Sequence, residues 1–164
     1  MLKIIPYDSK YKADIILCFL LAKNALLPLA PESHSRLTIR EDILDIETHY
    51  TAKNYPFLLA VNENDRVIGM LGCNILPATV SQEELILKRF FIHPEMKNRG
   101  IGSMLLSEIE SFAESRGISI IHTRFAYWYK EANIFYTAKG FRKSGEISGA
   151  INEKDYLIRM HKKI

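Results

Sequence analysis

Apolar and polar positions along this chain follow two rhythms, one of period two and one near four, and the switches between them outline its elements. Leu2-Lys3-Ile4-Ile5-Pro6 predicts a short strand ended by proline. Residues 9–24 predict a helix, with Ser9 as cap and Ala13, Ile16, Leu17 and Leu20 as its apolar face. Pro28, Pro31 and two serines make 27–35 a loop. Thr38 then opens a second helix, with Glu41 as its capping-box partner and Ile39, Ile43, Leu44, Ile46 and Tyr50 as apolar positions.

Two strands, 57–61 and 67–75, flank the turn residues Asn62-Glu63-Asn64-Asp65 and predict a hairpin. A loop over 76–83 leads to the apolar run 85–92. The segment 100–116 has a strong helical period: Gly102, Leu105, Leu106, Ile109, Phe112 and Ala113 form one stripe, and Gly117 sits where a left-handed terminator is wanted. A strand over 118–126, a short helix over 131–139 ended by Gly140, and strands over 141–147 and 156–161 follow. The order β-α-α-β-β-β-α-β-α-β-β predicts one α/β domain over residues 1–164 with a mixed sheet.

Composition narrows the function classes. No apolar run approaches the roughly 18 residues that span a bilayer. No basic, apolar and small-residue leader pattern opens the chain, so a cytoplasmic protein without a membrane partner is expected. The net charge of +3 is mild and spread along the chain, which argues against a nucleic-acid partner. Cys18 and Cys73 fall in apolar segments without metal-ligand spacing, so they read as reduced core thiols and no metal site is expected.

The segment from Leu87 to Ser103 carries the chemistry. A strand stops at Pro94, a polar loop brings Lys97 and Arg99, and Gly100 and Gly102 open an amphipathic helix. Amides at a helix start lack intrahelical partners, and the macrodipole makes that end positive. Glycines let an anion approach those amides, and two cations add attraction for a pyrophosphate. A tight strand–helix packing turn would use the same glycines. Gly102-Ser103-Met104 is not the Gly-Lys-Ser/Thr of a P-loop, and Leu105 stands where a dinucleotide fingerprint needs a third glycine.

Lys97-Asn98-Arg99-Gly100-Ile101-Gly102 resembles motif A of the GNAT superfamily of acyl-CoA-dependent N-acyltransferases, Gln/Arg-x-x-Gly-x-Gly/Ala at a helix start, with Lys97 replacing the usual Gln or Arg. Ala132-Asn133-Ile134-Phe135-Tyr136-Thr137-Ala138-Lys139-Gly140-Phe141 resembles its motif B, Ala-x-x-Phe-Tyr-x-x-x-Gly-Phe. The resemblance is specific over 84–141 and topological on either side. It implies a GNAT-like fold, a mostly antiparallel sheet with flanking helices, and acetyl-CoA as cosubstrate. The backbone of Asn98, Arg99, Gly100, Ile101, Gly102 and Ser103 would hold the pyrophosphate, and Phe91 and Ile92 would pair with the pantetheine arm. Tyr129 occupies the position of an asparagine that often contacts the cofactor.

The implied reaction moves an acetyl group to a primary amine of a small molecule or peptide, by direct attack in a ternary complex. Two other readings stand beside it: a protein N-terminal or lysine acetyltransferase, and a non-catalytic acyl-CoA-binding module. Tyr136 would face the sulfur. Glu84, with Glu83 beside it, is the candidate base, because Ile86 occupies the position where relatives place a carboxylate. His93 reads as structural, and His34, His49 and His122 stand alone without a visible partner. Asp42, Asp45 and Glu47 could draw a cationic amine but read first as a solvated helix face, and Tyr127 and Trp128 could line the acceptor's cleft. Homodimers are common in the superfamily, so self-association belongs among the expected partners.

Overall fold

The run Val67–Leu76 (β3) is apolar at nearly every position, and the sheet is built outward from it. The computed structural model describes residues 1–30, 39–76, 83–147 and 157–164. The other strands are Lys3–Pro6 (β1), Phe57–Val61 (β2), Glu84–Ile92 (β4), Ile120–Ala126 (β5), Arg142–Ile147 (β6) and Leu157–Lys163 (β7). They form one sheet of 7 strands in the order β1-β2-β3-β4-β5-β7-β6. Every ladder is antiparallel except β4–β5.

Helices cover the two faces. Ile101–Ser115 (α4) and Lys130–Ala138 (α5) lie on one side, where Leu105, Leu106 and Ile109 pack on Leu71, Leu85, Leu87 and Ile121. Lys12–Leu26 (α1), Glu41–Leu44 (α2) and Ile46–His49 (α3) lie on the other, where Ile15, Phe19, Ile43 and Ile46 meet Leu59 and Met70. Gly72 lets the second layer close down: a Cβ there would meet the Phe57 ring at 2.8 Å and the Tyr50 ring at 2.9 Å.

The predicted order of elements holds, with local corrections. Asp8, not Ser9, caps the first turn, its carboxylate accepting from the Lys10 amide. The buried stripe of α1 is Ile15, Cys18, Phe19, Ala22 and Leu26, whereas Leu17 is 46% exposed. Residues 13–22 are apolar on almost every side, so periodicity could not choose the face. The predicted second helix is two single turns, broken at Asp45, whose side chain accepts from the Thr48 amide and starts a new turn. The expected Thr38 cap, the loop residues 31–38 with His34, the loop 77–82 and the start of the last strand at Tyr156 lie outside the described residues.

One irregularity in β4 shapes the cleft beside it. The β3–β4 register pairs Gly72 with Lys88 and Met70 with Phe91, so Leu71 alone stands against Arg89 and Phe90. That extra residue is a β-bulge, with Arg89 in the left-handed region at φ 51°. Such a backbone costs about 1–2 kcal/mol for a residue other than glycine. A side-chain clamp offsets it. Arg89 Nε donates to Asp42 Oδ2 at 2.7 Å, and the Tyr50 hydroxyl donates to the same oxygen at 2.6 Å.

Burial opposes ionisation of Asp42, but the bonds from Arg89 and Tyr50 outweigh it and hold the carboxyl below its ordinary value. The stabilisation is therefore fully present above the unfolded value of about 3.9 and is lost as pH falls through the lower folded value. We expect Asp42→Asn to cost about 1–3 kcal/mol in urea unfolding at pH 7, with the difference from the parent chain shrinking below about pH 4. An unchanged midpoint at pH 7 would show that the bulge does not need this clamp.

Candidate active site

The bulge reverses which β4 side chains face which helix layer. Before it, Leu85 and Leu87 point toward α4; after it, Phe90 and Ile92 do, and Phe91 turns to the opposite layer against Phe19, with ring centroids 5.0 Å apart. The parallel ladder between β4 and β5 contains only Leu85↔Ile121 and Ile86↔His122. Beyond Ile86 the two strands separate, leaving one edge of β4 without a strand partner. An unpaired edge beside a packed core is a ready template for an extended ligand.

A cleft of about 590 Å³ opens on the α4 side of this gap, lined by Phe90, Ile92, Tyr129, Phe135 and Tyr136 and by the loop into α4. That loop is shaped for an anion. Asn98 and Gly100 are both left-handed, at φ 60° and 79°, the kind of backbone from which anion-binding concavities are built. The first carbonyl used within the helix is that of Gly100, accepting from the Met104 amide at 3.0 Å, so the amides of Ile101, Gly102 and Ser103 have no intrahelical acceptor. A Cβ built on Gly100 would meet nothing within 4 Å, so that side of the turn stands open.

Lys97, Asn98, Gly100, Ile101, Gly102, Ser103, Tyr129, Ile92 and Tyr136 all line the cleft. Phe91 and Arg99 do not, Phe91 because its side chain faces α1. Sequence reasoning missed Glu131, which also lines the cleft and binds Lys97 Nζ at 2.8 Å. The Lys97 ammonium lies 6.0 Å from the centre of the Tyr129 ring. Tyr127 and Trp128, expected at the acceptor's side, do not line this cleft.

Tyr136 is held from all sides. Its ring stacks on Phe125 at 5.5 Å and meets Phe141 at 5.2 Å and Phe135 at 5.4 Å edge-on. Burial pushes its phenol far above the ordinary value, and a hydrogen bond with Thr123 opposes this only in part. Tyr136 therefore keeps its proton at neutral pH and serves as a donor.

Glu84 lies outside the cleft, on the sheet face toward α1. There it meets His122, whose Nε2 lies 2.6 Å from Glu84 Oε2. A carboxylate oxygen at that distance accepts the Nε2 hydrogen, which in the neutral imidazole puts the lone pair on Nδ1. His122, read from sequence as standing alone, thus has a partner 38 positions away. It is also the register partner of Ile86, the position lacking a carboxylate. No pattern along the sequence could reveal a contact set by the register of two parallel strands.

The acidic residues that could have drawn a cationic amine are engaged within the fold. Asp42 clamps Arg89, Asp45 caps α3, and Glu47 accepts from the Tyr7 hydroxyl at 2.6 Å. His93 accepts from the Glu95 amide and starts the turn before the glycine loop, as a structural residue should. Burial pushes the Cys18 thiol up to about 12, helped by Asp14, which suits an inert core thiol. No helix among the described residues is long and apolar enough to cross a membrane.

Known proteins share this fold. The acetyltransferase of GNAT family from Staphylococcus aureus Mu50 superposes with a TM-score of 0.80 over 99% of both chains at 22% identity. The structure of yncA from Salmonella typhimurium, solved with its cofactor acetyl-CoA, superposes with a TM-score of 0.73 over 99% of this chain and 94% of that one at 18% identity. The protein named probable N-acetyltransferase camello, from Xenopus tropicalis, is 28% identical over 106 residues, which are 65% of this chain and 48% of that protein. The chain therefore spans about half the length of the curated relatives it matches. The model of the acetyltransferase (GNAT) family matches residues 22–141, and this chain belongs to that family.

Proposed function

We propose that the chain binds acetyl-CoA in the cleft at the start of α4 and transfers its acetyl group to a primary amine by direct attack in a ternary complex. The observation that carries this reading is the β4–β5 gap, with an anion-shaped glycine loop on one side and a histidine–carboxylate pair on the other. Acetyl-CoA supplies the acetyl group as a thioester. The net change forms the amide N–C bond, breaks the C–S bond and moves one proton from amine to sulfur.

Each part of that change has a residue suited to it. The amides of residues 98–103, with Lys97 on the cleft wall, suit the pyrophosphate. The free β4 edge at Phe91 and Ile92 suits the pantetheine arm and offers backbone donors to the carbonyl oxygen. An ammonium with a pKa of about 10.4 must lose a proton before it attacks. His122 Nδ1 accepts that proton, held in the right tautomer by Glu84, so Glu84 acts as a positioning residue rather than as the base itself. Tyr136 donates a hydrogen bond to the departing sulfur. With its pKa raised so far, full proton transfer to a thiolate is uphill, and stabilisation of the developing charge is its main contribution.

Titration of acetyl-CoA by calorimetry, with ATP and NAD as controls, should give binding of acetyl-CoA alone. Thiol release on an amine panel then reads the transfer. Absence of acetyl-CoA binding in a folded sample would withdraw the proposal, and binding without thiol release on any amine would make the chain a cofactor-binding module.

Tyr136→Phe should lower kcat by about tenfold or more while acetyl-CoA affinity stays within about twofold. Unchanged turnover would remove Tyr136 from the reaction. His122→Gln should lower kcat/KM by about 10²–10⁴-fold at pH 7. That deficit should shrink as pH rises toward the amine's own pKa, where a base is no longer needed. A deficit independent of pH would assign His122 to structure.

A further inference from the structure

The sheet face opposite α4 gathers several cations. Arg124 on β5 and Arg159 on β7 are direct register partners. Like charges placed opposite each other across two strands are destabilising unless something lies between them. Their neighbours Thr123, Phe125 and Met160 are buried, Phe125 and Met160 in the core beneath α4, so strand alternation puts both arginines on the other face.

Lys88 shares that face from β4. It is two residues beyond Ile86, as Arg124 is two beyond His122, so the two cations flank the start of the β4–β5 gap. Half-buried Lys23 on α1 adds a further charge within electrostatic reach of Arg89.

Among the described residues, Lys23, Lys88, Arg124 and Arg159 make no hydrogen bond or ion pair through their side chains. Burial lowers the Lys88 pKa, and Arg124 and Arg89 lower it further against a smaller opposing pull from Asp42. Burial lowers that of Lys23 as well, aided by Arg40 and Arg89. Asp42, the carboxylate acting on Lys88, is already occupied by Arg89 and Tyr50, and Glu84 is occupied by His122. Holding a half-buried ammonium beside other cations is costly unless an anion arrives to share it. Pyrophosphate is not that anion, because the glycine loop opens on the opposite face of the sheet.

We infer that Lys88 and Arg124 form an oxyanion-recognition site for the acceptor, so that the acceptor is a primary amine bearing a carboxylate or phosphonate near its amino group. This deepens the acetyl-transfer reading and rests on it. Two residues of extended strand, about 6–7 Å, separate Arg124 from His122. An amino acid bridges that span with its amino group at His122 and its acid group at the cations. A guanidinium and an ammonium also form an ion pair with an oxyanion, which a neutral amide or an alkyl chain cannot offer. Cationic acceptors such as polyamines are repelled by the same face.

The test uses matched probes: α-amino acids, their C-terminal amides, the corresponding decarboxylated amines and 1-aminoalkylphosphonates. Each is titrated by calorimetry into the CoA-saturated protein and assayed for thiol release with acetyl-CoA. The acids or the phosphonates should bind about tenfold or more tightly than the amides and amines, and which of the two leads identifies the oxyanion. Lys88→Gln and Arg124→Gln should each bring the acid's affinity close to the amide's. Melting curves check that these variants fold, and Lys88→Arg and Arg124→Lys should retain part of the preference. Amides and amines that bind as well as both the acids and the phosphonates, or no binding of either oxyanion-bearing class, overturns the inference. Failure of acetyl-transfer itself would show separately, as no acetyl-CoA binding or no thiol release from any probe.

Discussion

Two ladder positions tie β4 to β5, Leu85↔Ile121 and Ile86↔His122, and the site depends on the ladder stopping there. Backbone groups within a sheet are satisfied by their neighbours, so a gap between adjacent strands leaves donors and acceptors to be met by something else. Elsewhere the sheet is closely paired; β5 and β7 alone share seven register positions, Ile120↔Lys163 through Ala126↔Leu157. The gap is therefore a local departure in a well-formed sheet, and it is held open from both sides. On the α4 side, Tyr136, Phe125 and Phe90 fill the space under the separated strands with rings that do not compress. On the other side, the Arg89 bulge bends β4 three residues beyond its last ladder position with β5.

The bulge and its clamp link fold to chemistry in one step. Without the extra residue at 89, strand alternation would put Phe91 with Leu85 and Leu87, and Phe90 and Ile92 would leave the cleft. The left-handed backbone of Arg89 is unfavourable by itself. It persists because Asp42 joins it to Tyr50, and Tyr50 is 2% exposed in the core of the second layer. A charged pair at the surface would add little, but this one is shielded, with 26% and 15% of the two side chains exposed. The short α2 turn thus contributes less as a helix than as a holder for one carboxylate.

Much of this is legible in the sequence, and the unread parts have definite causes. The glycine turn can be read because left-handed backbone and unpaired amides demand glycine at fixed spacing, and Gly100 adopts that conformation. The α4 stripe is readable because its polar face is polar. The α1 face is not, because residues 13–22 offer apolar side chains in nearly every direction and only the sheet decides among them. The break at Asp45 is hidden inside an apolar period that continues through Ile43, Ile46 and Tyr50, all three buried as that period requires. The His122–Glu84 pair, the Lys97–Glu131 bridge and the bulge at Arg89 depend on strand register or on the packing of α5, which local spacing does not encode.

The same limit explains why sequence alone points to acid on the acceptor side. Along the chain, Asp42, Asp45 and Glu47 form an acidic cluster, and a cluster invites the reading that it meets a cation. In space each carboxylate is taken by an internal donor: a guanidinium, an amide at a helix start and a phenol. The cations left over are scattered in sequence, at 23, 88, 124 and 159, and only the fold gathers them. Charge that is paired within the fold contributes to stability; charge that the fold assembles and leaves unpaired is what a ligand meets. By that criterion the proposed pyrophosphate loop and the proposed acceptor face at Lys88 and Arg124 would meet their anions from opposite sides of one gap. Tyr136 lies beneath one side and His122 on the other, which matches the proposed division of labour: a base on the amine's side and a hydrogen-bond donor on the sulfur's.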